Sequence, residues 1–319
     1  MPVKYNTEYK SPLYLFNKDL QTIIPALFRK VEGIQYKRER IYTPDQDFLD
    51  LDWSLVNQEK ELVIISHGLE GDSKRPYVLG MVRALNQANK NVMAWNYRGC
   101  SGEINQVYKF YHSGETGDLD FVINHCINKG YSQINLIGFS VGGNITLKFL
   151  GETGEKYPSI QKTVVFSVPC HLQSSSKQLA RFRSKIYMKR FIRSLSTKIR
   201  EKALTMPDKY DCSPLDRIKN FTEFDTIYTA PMHGYKDAIE YWTLNSSLYF
   251  IQHIKKTTLI IMAQNDPFLS SECYPYQEAE NNPQVTLEVT KTGGHCGFFL
   301  ANQDGIYWSE RKVLEFFYK

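Results

Sequence analysis

The chain has 319 residues, of which 42% are hydrophobic and 23% charged, the balance of a globular protein rather than a disordered one. No stretch reaches about 18 uninterrupted apolar residues, so no spanning helix is expected, and the start MPVKYNTEYKSPLYLF shows no apolar core of the kind a signal peptide has. The formal net charge of +5 is unevenly spread: ten bases between Lys177 and Lys202 face one acid, Glu201, so the rest of the chain is net acidic. Six scattered cysteines (Cys100, Cys126, Cys170, Cys212, Cys273, Cys296) show no metal-ligand spacing. Reduced thiols, a cytoplasmic location, no structural metal and no cofactor are therefore expected.

In chain order, residues 1–33 hold a short apolar stretch broken by Pro25, read as one or two helical turns over the body. Residues 33–42 and 48–56 alternate apolar with polar and read as antiparallel edge strands joined at Thr43-Pro44-Asp45. Buried strands are expected at 61–66 and 91–97, with helices at 76–87 and 115–128, the latter with Thr116 as a candidate cap. A strand is expected at 162–168. From 169 to 253 the strand–helix alternation lapses. Leu179, Phe182 and Ile186, then Met188, Ile192, Leu195 and Ile199, follow helical spacing and indicate two basic amphipathic helices. Alternation resumes with strands at 257–263 and 285–290 and a last helix at 308–317.

The most informative stretch is QINLIGFSVGGN at 133–144. Ile134, Leu136 and Ile137 suit a buried parallel strand, and G-x-S-x-G (Gly138, Ser140, Gly142) follows at once, leading into a helical segment. Strand, tight turn with serine at its apex, then helix is the nucleophile elbow. G-x-S-x-G alone arises by chance in roughly one chain in ten of this length, so the flanks carry the weight.

A nucleophilic serine needs a base, and the base needs an orienting acid. Asp266, in AQNDPF, follows the apolar strand TTLIIMA, and His295, in KTGGHCGF, follows VTLEVT. Both stand after late strands in the order Ser, Asp, His that this architecture requires. The expected oxyanion donors are the backbone N–H of Val141, after the nucleophile, and that of Leu69, after the strand ELVIIS. Gly68 and His67 are read as shaping that loop. The expected fold is an α/β-hydrolase fold of about eight mostly parallel strands with helices on both faces. The expected division is a core at 1–168 and 254–319, with a helical cap inserted at 169–253.

The motifs LQTIIPALFR, DFLDLDW, SHGLEGDS, NYRGCSGE, YHSGETGDL, GFSVGGN, FDTIYTAPMHGYKDAIEYW, AQNDPF and GGHCGF span nearly the whole chain. On these the sequence resembles the YheT-like family of α/β-hydrolases. The resemblance implies a serine hydrolase with Ser140, Asp266 and His295 as its charge relay, among relatives that include carboxylesterases, acyltransferases to ethanol and phospholipid lipases. Ester hydrolysis through an acyl-enzyme is the first expectation. Acyl transfer of a medium-chain group to an alcohol is the second, and a non-catalytic binding protein on the same fold is the remote third. The expected partner is a small acyl ester, with no nucleic acid, since no recognition motif accompanies the charge. The basic helices read either as solvated faces, the preferred reading, or as a weak peripheral contact with anionic lipid. The oligomeric state is not encoded in any motif.

Overall fold

The computed structural model describes residues 2–302 and 304–319. Among these residues nine strands form one sheet: β1 (Val3–Asn6), β2 (Lys37–Tyr42), β3 (Phe48–Ser54), β4 (Glu61–Ser66), β5 (Val92–Asn96), β6 (Gln133–Phe139), β7 (Ile160–Phe166), β8 (Thr257–Ala263) and β9 (Val285–Thr290). Their order is β1-β9-β8-β7-β6-β4-β5-β3-β2. The run from β1 to β5 is parallel, and β3 and β2 close one side antiparallel.

Alternation along the strands divides the interior. Leu62 and Ile64 of β4 join a core on one face, while Val63 and Ile65 join the core on the other. Helices α1 (Lys18–Phe28), α2 (Pro76–Gln87), α3 (Thr116–Asn128) and α4 (Val141–Thr153) intervene between the early strands. The helix Trp308–Tyr318 closes the chain. Val313 and Phe317 of that last helix pack with Val78, Met81 and Leu85 of α2 on one face. Leu119 and Val122 of α3 and Ile145 and Leu147 of α4 pack on the other.

Three details depart from the sequence reading. The ninth strand, Val3–Asn6, pairs in parallel with β9 through Val3 opposite Leu287 and Tyr5 opposite Val289. Its four residues were too short to carry a periodic signal. Of the two expected edge strands only β2 lies at the edge; β3 sits between β2 and β5, and all seven of its residues are buried. The buried acids that make β3 look half-polar are paired, Asp50 with Arg40 and Asp52 with Arg38 on the neighbouring strand. The cap of α3 is Glu115, which accepts from Gly117 N, whereas the Thr116 hydroxyl donates to Glu152.

Between β7 and β8, neighbours in the sheet, the chain makes an excursion without a strand among the described residues. It contains α5 (Leu172–Ala180) and the long α6 (Lys185–Thr205), followed by short helical segments including Ala238–Asn245. Leu179, Met188, Ile192 and Ile199 are buried as the periodicity predicts. Phe182 and Ile186 are not: they are 83% and 70% exposed.

Candidate active site

The carboxyl ends of β4, β6, β8 and β9 converge at one rim of the sheet. Such a rim is where open α/β sheets hold ligands. At the end of β6, Ser140 adopts φ 54°, ψ −120°, a left-handed conformation that costs a non-glycine residue roughly 1–3 kcal/mol. Its N–H is fixed by Phe166 O at 2.8 Å, and its carbonyl accepts the first helical bond, from Asn144 N. The turn is possible because of its glycines. A Cβ on Gly142 would lie 2.4 Å from both Ser66 O and His67 O, and one on Gly138 would lie 2.7 Å from Gly142 O. The elbow helix therefore runs hard against the end of β4.

The chain brings the three expected side chains together across 155 residues. Ser140 Oγ lies 2.9 Å from His295 Nε2. His295 Nδ1 lies 2.9 Å from Asp266 Oδ2 and 3.1 Å from Oδ1. Asp266 is buried and also accepts from Phe268 N, and the Phe268 ring stacks on the imidazole at a centroid distance of 4.0 Å. Burial opposes a charge on His295, but the Asp266 carboxylate beside it, helped by Cys296, carries the imidazole the other way, up to about 10. The arrangement thus favours the imidazolium that forms when histidine takes a proton from a hydroxyl.

Val141 is the first residue of α4, where the N–H groups precede the first intrahelical bond and the positive dipole end lies. Leu69 lines the cavities that meet at Ser140, and its N–H has no acceptor among the described residues. A Cβ on Gly68 would stand 3.3 Å from Ser140 Cβ, so this loop passes close to the nucleophile position. His67 faces its own backbone: Nδ1 lies 2.8 Å from Gly68 O, and Nε2 accepts from Tyr97 N. That pattern requires the proton on Nδ1, and complete burial pushes the ring down to about 3, so His67 is neutral. It holds the loop and has no free nitrogen for proton transfer.

Two cavities meet at Ser140 and His295. A narrow one of about 90 Å³ is bounded by Leu172, Leu179, Phe221 and Trp242 from the inserted segment, with Asp225 in its wall. Burial raises the Asp225 carboxyl to about 6, although Thr229 and Trp242 donate to it. The second cavity, about 620 Å³, lies between α1 and α6 and is lined by Ile23, Leu27, Arg75, Ile186 and Arg190.

Sequence reasoning passed over the residues that hold this rim in place. Gln21 Oε1 accepts from Gly293 N at 2.9 Å and from Asn265 Nδ2 at 2.8 Å, and Thr22 Oγ1 accepts from His295 N at 2.9 Å. Helix α1 therefore clamps both the histidine loop and the aspartate loop. The motif LQTIIP contained the signal, but nothing local in it showed what it touches. Glu70, next to Leu69, is likewise a buried carboxylate bound by Lys198 of α6, at 2.8 Å.

His112, Glu115 and His233 bring potential ligand atoms within 4.8 Å of one another. His112 Nδ1 accepts from Gly114 N, which leaves its proton on Nε2, facing Glu115 Oε2 at 3.4 Å. A metal-bound imidazole needs the opposite tautomer. All six cysteines are free thiols. No helix among the described residues is long and apolar enough to cross a membrane.

Residues 61–301 match the family model of the alpha/beta hydrolase fold. The chain is 34% identical to YheT of Escherichia coli (strain K12), over 88% of this chain and 84% of that protein. It is 28% identical to a monoacylglycerol lipase of Saccharomyces cerevisiae, over 92% of this chain and 66% of the yeast protein. Among solved structures, the Pyrococcus furiosus esterase Pf2001 superposes with a TM-score of 0.61 at 20% identity, covering 89% of this chain and 90% of that one. With the elbow, the sheet order and these matches in agreement, the chain belongs to the α/β-hydrolase fold family, in its YheT-like branch.

Proposed function

We propose that this carboxylic ester hydrolase works through an acyl-enzyme formed on Ser140. In this reading His295 Nε2 takes the hydroxyl proton as Ser140 Oγ attacks the ester carbonyl, and Asp266 holds the imidazole in the required tautomer. The Val141 and Leu69 N–H groups receive the developing oxyanion, each contributing about 10²–10³ in rate. The alcohol leaves with the proton from His295, and a water activated by the same nitrogen releases the acid. The observation that carries the reading is the unbroken hydrogen-bond chain from Ser140 Oγ through both imidazole nitrogens to Asp266. Residues 169–253 act as a cap whose apolar side chains bound the narrow cavity.

A second reading, acyl transfer to an alcohol, uses the same acyl-enzyme and differs only in the nucleophile that reaches it. The cavity between α1 and α6 favours keeping it, because it gives an acceptor alcohol a route to Ser140 apart from the narrow cavity. Partitioning of product between acid and ethyl ester with added ethanol separates the two.

The deciding experiment is hydrolysis of a p-nitrophenyl ester chain-length series by wild type and Ser140→Ala, paired with fluorophosphonate labelling. Wild type is expected to hydrolyse and label. The variant is expected to do neither while keeping its circular dichroism spectrum. Undiminished hydrolysis by Ser140→Ala would sink the reading.

A further inference from the structure

The basic stretch of the inserted segment has two populations. Lys198 and Lys202 turn inward, Lys198 onto Glu70 and Lys202 onto Val107 O, while Arg200 pairs with Asp216. Arg181, Arg183, Lys185, Lys189, Arg190 and Arg193 are all exposed, and none forms an ion pair among the described residues. No acid interrupts them in sequence. Solvated helix faces would show charge alone. Here two large apolar side chains, Phe182 and Ile186, stand among the bases at 83% and 70% exposure, with Lys185 Nζ 5.1 Å from the Phe182 ring.

The patch continues across the mouth of the larger cavity. Ile186 and Arg190 line that cavity from α6, and Leu27 lines it from α1 while remaining 60% exposed, with Phe28 beside it also exposed. The two helices are tied by Tyr187 Oη donating to Asp19 at 2.8 Å. An apolar rim set among unpaired cations thus surrounds an opening that leads to Ser140.

From this juxtaposition we infer that the face formed by Phe182–Arg193 and the end of α1 is a docking surface for an anionic lipid bilayer. On such a surface Phe182 and Ile186 enter the headgroup region and the six bases meet lipid phosphates. An acidic protein or a nucleic acid would account for the cations. A nucleic acid would not account for the exposed Phe182 and Ile186, and an acidic protein, which could bury them, would not account for their place around an opening that leads to Ser140. Resting on the ester-hydrolase reading, the inference concerns how that site is reached: its larger opening faces the membrane plane. An acyl chain could pass from the bilayer into the cavity between α1 and α6 without crossing water.

The test is co-sedimentation of the full chain with vesicles of phosphatidylcholine alone or of equimolar phosphatidylcholine and phosphatidylglycerol. Hydrolysis of a short soluble p-nitrophenyl ester is followed in parallel. Wild type is expected to bind the anionic vesicles, with binding lost as salt rises from about 0.05 to about 0.5 M. Lys185→Glu/Lys189→Glu should weaken partitioning by at least about 25-fold, at roughly fivefold for each positive charge removed. Phe182→Ser should weaken it without changing the salt dependence. None of these three residues lines either of the two cavities at Ser140, so soluble ester hydrolysis should persist in both variants. The inference is overturned if wild type ignores anionic vesicles at low salt, if the charge-reversed variant binds equally, or if only an oligonucleotide or acidic protein is retained. Failure of the ester-hydrolase reading would appear separately, as wild type inactive on the soluble ester.

Discussion

Lys198 Nζ lies 2.8 Å from Glu70 Oε1, an ion pair that joins the inserted helix α6 to the residue following Leu69. Glu70 is nearly inaccessible, sits at φ 52°, and gathers Tyr111 Oη at 2.9 Å and Ser194 Oγ at 2.6 Å as further donors. Its own N–H donates to Tyr111 Oη. The backbone following Leu69 is thus held by a carboxylate whose charge is balanced from α6.

Removing one partner of such a pair leaves the other charge buried and unpaired. Lys198→Met is expected to cost about 3–5 kcal/mol of stability. Glu70→Gln/Lys198→Met should recover part of that loss, since neither charge remains. In both variants kcat should fall more than KM rises, because the proposed oxyanion donor is loosened. Urea unfolding and steady-state kinetics on a soluble ester measure the two effects. A double variant no more stable than Lys198→Met would contradict the pairing argument.

The pH dependence follows from His295. Only the neutral imidazole can accept the Ser140 proton, and Asp266 raises its affinity for protons above the ordinary 6.5, to about 10. The active form is therefore gained as pH rises, and the acid limb of kcat/KM should lie above 6.5. Asp266→Asn removes the charge that raises it, so the limb should move to lower pH while kcat falls by about 10⁴ through the wrong tautomer. A pH–rate profile of both proteins checks this; a wild-type limb at or below 6.5 would refute it.

How far the sequence revealed this site depends on the range of the interaction concerned. The apolar runs before Gly138, Asn265 and Thr290 marked strand ends, and strand ends locate Ser140, Asp266 and His295, because parallel strands bring their carboxyl ends to one rim. Contacts between side chains distant in sequence left no such periodic trace. Gln21 with Gly293 and Glu70 with Lys198 join segments 272 and 128 residues apart. Likewise Phe182 and Ile186 fit the apolar stripe by spacing, yet the 3₁₀ turn Phe182–Ser184 before α6 leaves them in solvent.

Packing at the elbow gives a sharper prediction. The atoms that a Cβ at residue 142 would strike, Ser66 O and His67 O, are backbone at the end of the central strand β4 and cannot swing aside. Gly142→Ala should therefore either prevent soluble expression or tilt α4 away from β4 and abolish fluorophosphonate labelling. Wild-type labelling and stability in this variant would show that the approach is looser than 2.4 Å implies.

The clamp from α1 can be tested with Gln21→Ala. Gln21 is buried, donates to Leu15 O at 2.7 Å, and accepts from Gly293 and Asn265 through one oxygen. Truncation leaves the Gly293 N–H and the Leu15 carbonyl unpaired, at about 1–3 kcal/mol for each group that water cannot reach. Because Gly293 precedes His295 by two residues and Asn265 precedes Asp266, the loss falls on the alignment of the imidazole. Gln21→Ala is expected to lower kcat by about tenfold or more with KM little changed. Gln21→Glu, which keeps the accepting oxygen, should restore much of it. An equal loss in both variants would mean that the Gln21 Nε2 bond to Leu15, rather than the bridge to the two loops, is what α1 contributes.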